Sequence, residues 1–143
     1  MTEHLDLSAL RNALTSLEEG IGVVSDTAWF NAQAKAVQNT LIAGVVQNFE
    51  FVYELGFKMI KRQIEAEAAN PAEVDEYGIR DMLRVAAEKG LIADVEAWFA
   101  YRKMRGTTSH TYDHEKAKQV YRGTLTFLDD ARALLAGLEA RNA

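Results

Sequence analysis

The sequence predicts an all-α protein: an antiparallel up-and-down bundle of four to five helices forming one domain over residues 1–143. Three observations carry that expectation. Apolar side chains recur at intervals of three and four along most of the chain, the spacing of a helix stripe. One proline stands in the whole sequence, so long helices run without a forced break. Thr107 to Tyr112 is rich in β-forming residues, but it is isolated and has no second run to pair with. Stripes of this kind are buried by packing helix on helix.

Leu7, Leu10, Leu14 and Leu17 make the stripe of a first helix, which Gly20 and Gly22 weaken. Ser25-Asp26-Thr27 reads as a connection or a new N-cap. A long second helix is expected from about Thr27 to Ala69, with Val37, Leu41, Val45, Phe49, Val52, Leu55, Met59 and Ile60 as its apolar face. Asn70-Pro71 ends it, because proline lacks the amide hydrogen and disfavours helix at the residue before it. A third helix follows from about Asp75 or Tyr77 to Lys89, with Ile79, Met82, Leu83 and Ala86 inward. Gly90 is a left-handed stop covered by Leu91 and Ile92. Asp94 caps a short fourth helix carrying Val95, Trp98, Phe99 and Met104. Gly106 to Asp113 reads as a loop. The last helix, about His114 to Ala140, is expected to bury Ala117, Val120, Tyr121, Leu125, Leu128, Ala131 and Leu135.

Composition narrows the function. The chain has no cysteine, which removes disulfides, thiolate metal sites and cysteine nucleophiles together. Its start shows no apolar leader and no stretch reaches the roughly 20 apolar residues of a membrane span, so the expectation is a cytoplasmic protein without a membrane partner. A net charge of -5 argues against a non-specific nucleic-acid coat. The average hides a cationic stretch: Arg102, Lys103, Arg105, Lys116, Lys118 and Arg122 are opposed there only by Asp113 and Glu115. By charge alone, a solvated pair of helix faces explains it.

The stretch Arg105-Gly106-Thr107-Thr108-Ser109-His110-Thr111-Tyr112 is the most informative. A guanidinium offers a fork of donors suited to phosphate oxygens, and an imidazole exchanges a proton near neutral pH. Together they suit phosphoryl chemistry without a metal or other cofactor. The plain structural alternative is that Arg105 ties down a helix end, His110 is a satisfied loop residue and Tyr112 packs on the bundle.

The Arg-x4-His-x-Tyr arrangement of Arg105, His110 and Tyr112 resembles the signature of HEPN domains, small helical proteins that pair with minimal nucleotidyltransferases. A second block, Gln47-Asn48-Phe49-Glu50-Phe51-Val52-Tyr53-Glu54-Leu55-Gly56-Phe57-Lys58, is similar to a segment of the family's nucleotidyltransferase substrate-binding branch. Leu91, Ile92 and Trp98 also sit where that branch has similar residues, and the likeness runs from about Val37 to Leu135. The resemblance implies a homodimer that brings two Arg/His loops into one cleft, which in the toxin members is a metal-independent endoribonuclease. It implies catalytic roles for Arg105 on the scissile phosphate and His110 as general acid or base. Tyr112 would accept AMP from the partner nucleotidyltransferase, and Ser109 would stand beside it as a further contact. Two departures are visible: Gly106 replaces the polar residue that often follows the arginine, and Phe57 replaces a tryptophan.

Glu50, Glu54 and Lys58 lie four apart on an otherwise apolar helix. Such a line either faces solvent, with Glu54 and Lys58 paired, or joins a polar network. The resemblance implies the network, with these residues supporting the cleft. His110, Asp113 and His114 supply no evident third metal ligand, and no metal is expected. Three functions follow: an RNA-cleaving toxin silenced by its nucleotidyltransferase, a non-catalytic subunit presenting substrate or Tyr112 to that enzyme, or a purely structural helical dimer.

Overall fold

The amphipathic stripes assemble as the spacing predicts. The computed structural model describes residues 4–143. In chain order the helices are α1 (Ser8–Ser25), α2 (Thr27–Asn31), α3 (Lys35–Glu67), a 3-10 segment (Pro71–Glu76), α4 (Ile79–Glu88), α5 (Val95–Thr107), a single 3-10 turn (Thr108–His110) and α6 (His114–Arg141). Pairs of contacts set the directions. Ser16 and Gly20 of α1 meet Asn48 and Val45 of α3, Tyr101 and Met104 of α5 meet Asp130 and Gly123 of α6, and Arg11 and Glu18 of α1 meet Glu139 and Arg132 of α6. Thus α1, α3, α5 and α6 alternate in direction, while α4 packs as an extra helix on α3 and α5.

The core is built from one stripe each of α1, α3, α4, α5 and α6, and five aromatic rings lie at its centre. Phe49 and Phe127 meet edge to face at 4.8 Å between centroids, and Trp98 and Tyr101 stand at 5.8 and 4.9 Å from Phe127. Tyr53 closes the cluster against Phe49 and Trp98. Gly123 marks the close approach of α5 and α6, since a Cβ there would overlap Met104. Gly90 ends the α4 segment with φ of 78°, the left-handed value that glycine tolerates.

Five expectations are corrected. The long second helix is divided: Ala34 is extended, with ψ of 150°, and separates α2 from α3. The amides of Gln33 and Gln38 satisfy the Trp29 and Gln33 carbonyls at that break, in place of the missing helical bonds. Val37 is exposed, and Ile42 and Val46 face inward instead. Ile79, at the first turn of α4, is also exposed. Leu125 points to solvent because the α6 stripe runs through Thr124, Phe127 and Leu128, and one residue is a 100° rotation of the helix. Finally, the expected loop from Gly106 is mostly helical, with α5 reaching Thr107 and a 3-10 turn following.

At one pole a polar clasp joins both ends of the described chain. Asn142 accepts from the Leu5 amide at 2.9 Å and donates to the buried Gln63 at 2.8 Å. Gln63 donates to Glu67 at 2.7 Å, and Arg141 grips both Glu67 oxygens at 2.9 and 3.0 Å while also reaching the Lys89 carbonyl. Partial burial opposes the Glu67 charge, but the bonds from Gln63 and Arg141 and the charges of Arg141 and Lys89 outweigh it. The carboxyl is therefore held below the ordinary glutamate range. Because the folded value is the lower one, this contribution is complete above the unfolded pKa and is lost as pH falls through the folded value. Thermal unfolding measured from pH 6 down to pH 3 should show a steeper loss of Tm for the parent than for Glu67→Gln; parallel curves would refute the linkage.

Candidate functional site

Arg105 sits in the last turn of α5, where a cation suits the helix dipole. Its Nε donates to Glu54 Oε1 at 3.0 Å, and Nη2 bonds the same oxygen. Nη2 also lies 3.6 Å from Glu50 Oε2. On the other side Nη1 donates to the Thr108 hydroxyl at 2.7 Å, while that hydroxyl donates to the Arg105 carbonyl at 2.8 Å. The bond to Glu54, then the charges of Glu50 and Glu54, hold the guanidinium above its ordinary pKa against a smaller opposing effect of burial. The side chain is 33% exposed, so the fork is positioned but still reachable. Both glutamates thus support Arg105. Their spacing along α3 suggested a shared face, and the structure gives that face its partner.

The Glu54–Lys58 pair that the i, i+4 spacing allows does not form: Glu54 is turned to Arg105, and Lys58 is exposed without an ion pair among the described residues. Thr108 is the residue that sequence reasoning missed. It is buried at the start of the 3-10 turn and clamps Arg105 from the side opposite Glu54. The available signal was a threonine three residues after an arginine at a helix end, the spacing at which a hydroxyl reaches back to a carbonyl. Ser109 stands exposed on the turn, outside this cluster.

His110 and Tyr112 follow on the exposed surface, their rings 6.3 Å apart and edge to face. Tyr112 is 80% exposed, so it does not pack on the bundle. Asp113 then caps α6, accepting from the amides of Glu115 and Lys116 at 3.0 and 3.4 Å, which fixes the end of the turn.

Three concavities surround this corner. The largest, about 980 Å³, lies between α3, α4 and α5 and takes in Arg105, Glu54, Arg102 and Phe99. A second, about 330 Å³, contains His110, Lys103, Lys116 and Gln119. A third, about 370 Å³, contains Tyr112, His114 and Asn39. Within one copy of the chain, Arg105, His110 and Tyr112 therefore border three adjoining surfaces, and Lys103 is common to the first two. Among the described residues, no group of three or more His, Asp or Glu side chains is placed to hold a metal, and no helix is long and apolar enough to cross a membrane.

Comparison with known proteins agrees with this architecture. A family model described as nucleotidyltransferase substrate binding protein like matches residues 5–140. A Haemophilus influenzae protein named probable ribonuclease HepT is 49% identical over 142 residues, which cover 99% of this chain and 97% of that protein. A solved Haemophilus influenzae structure, described as revealing the fold of a substrate binding domain of a nucleotidyltransferase, superposes with a TM-score of 0.91 at 48% identity. It covers 94% of this chain and 99% of its own. With the bundle, the Arg105 cluster and a match across nearly its whole length, the chain belongs to the HEPN-like nucleotidyltransferase substrate-binding family.

Proposed function

We propose that residues 1–143 act as one HEPN-like domain that pairs with a second copy and with a minimal nucleotidyltransferase, as the metal-independent endoribonuclease of a toxin–antitoxin pair. The carrying observation is the Arg105 cluster: a guanidinium fixed by Glu54, Glu50 and Thr108 yet still one-third exposed, with an exposed histidine five residues on that borders the adjoining cavity. A guanidinium has five N–H donors, and three hydrogen bonds to protein leave donors for a phosphate oxygen. The name of the ribonuclease relative supports the same activity.

The chemistry divides between the two residues. Arg105 binds the scissile phosphate and stabilises charge on its oxygens as phosphorus becomes five-coordinate. The ribose 2′-oxygen loses its proton and attacks phosphorus, the P–O5′ bond breaks, and the departing oxygen gains a proton. His110 carries one of these proton transfers. The products are a 2′,3′-cyclic phosphate and a 5′-hydroxyl. In the homodimer, two Arg105/His110 loops share the cleft. The test is incubation of purified protein with single-stranded RNA in EDTA. Cleavage leaving a cyclic phosphate is expected, and cleavage undiminished by Arg105→Ala or His110→Ala would overturn the assignment.

Silencing is assigned to Tyr112. Transfer of AMP to its hydroxyl would place a bulky anion beside the phosphate site. With the nucleotidyltransferase and labelled ATP, the parent should take up label at the Tyr112 peptide and lose cleavage, whereas Tyr112→Phe should stay unlabelled and active. Label retained at that peptide in Tyr112→Phe would exclude this acceptor.

The exposure of Tyr112 and the two carboxylates on Arg105 favour a second reading, a non-catalytic subunit that presents substrate or Tyr112 to the nucleotidyltransferase. It is distinguished by labelling of Tyr112 without any cleavage by the unlabelled protein.

A further inference from the structure

Arg105 by itself is a poor anion site. Glu50 and Glu54 flank it, so the three side chains together carry a net charge of -1 when all are ionised, and a phosphate brought there would meet two carboxylates. Compensation has to come from elsewhere along the substrate. The cavity on which Arg105 opens supplies it: Arg80, Arg102, Lys103 and Arg105 line it against Glu54 and Glu96. Arg80, Arg102 and Lys103 enter no ion pair among the described residues, unlike Arg11, Arg84, Arg132 and Arg141. In a chain of net charge -5, this is a concentrated group of uncompensated cations.

The same cavity offers flat surfaces. The Arg80 guanidinium carbon lies 4.0 Å from the centroid of the Phe99 ring, and Phe57 lines the opposite wall on α3. Cations that track a backbone, interleaved with rings and guanidinium planes that stack on bases, are the recurring composition of single-strand sites. Lys103 also borders the cavity of His110, so one cation is common to the arginine's cavity and the histidine's.

We infer that the cavity between α3, α4 and α5 is a groove for single-stranded RNA, with Arg80, Arg102 and Lys103 on successive phosphates and an unpaired base stacked at Phe99 and Arg80. It rests on the nuclease reading only for its direction, toward Arg105; binding in the groove is measured without cleavage.

The probe is a fluorescent 2′-O-methyl oligonucleotide, which lacks the attacking hydroxyl and is not cut, titrated by anisotropy at several salt concentrations. Arg80→Gln and Arg102→Gln are made singly and together, Phe99→Leu is compared with Phe99→Tyr, and Arg62→Gln on α3 outside the groove is the charge control. The double variant should weaken binding and lower the slope of log affinity on log salt by about 1.4, at about 0.7 per single-strand phosphate contact. Phe99→Leu should weaken binding while Phe99→Tyr restores it, and with cleavable RNA the arginine variants should raise KM and leave kcat unchanged. Circular dichroism confirms that each variant is folded. If the double variant binds like Arg62→Gln while the parent still cuts RNA, the groove is wrong and the nuclease reading survives. If the parent binds through these residues but never cuts, the groove stands and the nuclease reading falls. A parent that binds no oligonucleotide overturns the groove, as do arginine substitutions that dissociate a dimer in sedimentation, which would make the cavity a contact between copies.

Discussion

Arg105→Ala should reduce RNA cleavage by about 10²–10³-fold, the loss typical of removing a donor aimed at developing negative charge. Arg105→Lys should recover little of it. A lysine is a single compact charge, whereas Arg105 uses separate nitrogens to hold Glu54 and Thr108 while others remain for phosphate. His110→Ala should lose about 10²–10⁴-fold by a different route, removal of a positioned proton carrier. The two variants also separate in stability. His110 is exposed, so its replacement should leave the unfolding midpoint unchanged. Arg105→Ala leaves Glu50 and Glu54 as neighbouring like charges and takes one of two partners from a buried threonine hydroxyl, so a modest fall in midpoint should accompany the loss of cleavage. Single-turnover cleavage with saturating RNA, alongside urea unfolding, checks both. Full-rate cleavage by either variant would remove that residue from the mechanism.

Phe127→Ala should destabilise the protein by about 3–5 kcal/mol, the range of a fully buried aromatic truncated to alanine. Phe127 is fully buried and meets Phe49, Trp98 and Tyr101 edge to face, so the substitution loses ring contacts with α3 and α5 as well as buried area. The surrounding rings are themselves large and cannot collapse into the space left. A change of this size is a substantial share of the stability of a domain this long. Urea unfolding is the measurement. A loss below about 1 kcal/mol would mean that the aromatic centre is loosely packed.

The fold was legible because helix periodicity is a local property. Leu10, Leu14 and Leu17 face the core as their spacing requires, and the stops at Asn70-Pro71 and Gly90 follow from backbone chemistry that each residue carries with it. Leu125 and Val37 escape the pattern because a stripe defined by spacing alone can drift by one residue, and only packing against a neighbour fixes its phase. The break at Ala34 was invisible because it rests on glutamine side chains reaching backwards rather than on a glycine or proline.

The site was legible in its residue types and less so in its geometry. Arg105, Glu50 and Glu54 were legible as members of one corner, from motif likeness and from spacing on α3. Their mutual pairing was not, because it depends on where α5 ends relative to α3, a tertiary fact. Thr108 was passed over for Ser109 because two adjacent hydroxyl residues differ only in the direction that the 3-10 turn gives them. That same turn leaves Arg105 and His110 bordering adjoining cavities, which no spacing rule reveals.

The clasp at the far pole bears on how the protein can be rewired. The Leu5 amide meets the Asn142 side chain at 2.9 Å, so the two ends of the described residues lie side by side. A rise of 1.5 Å per residue over the 28 residues of α6 separates them from the His110 turn by about 40 Å. A short peptide linker could therefore join the chain near Leu5 to the chain near Asn142, and new openings cut at the Ala93 or Ala34 connections would yield a circularly permuted chain with its Arg105 corner undisturbed. Reporters or affinity handles attached beside the clasp would likewise lie far from the His110 turn.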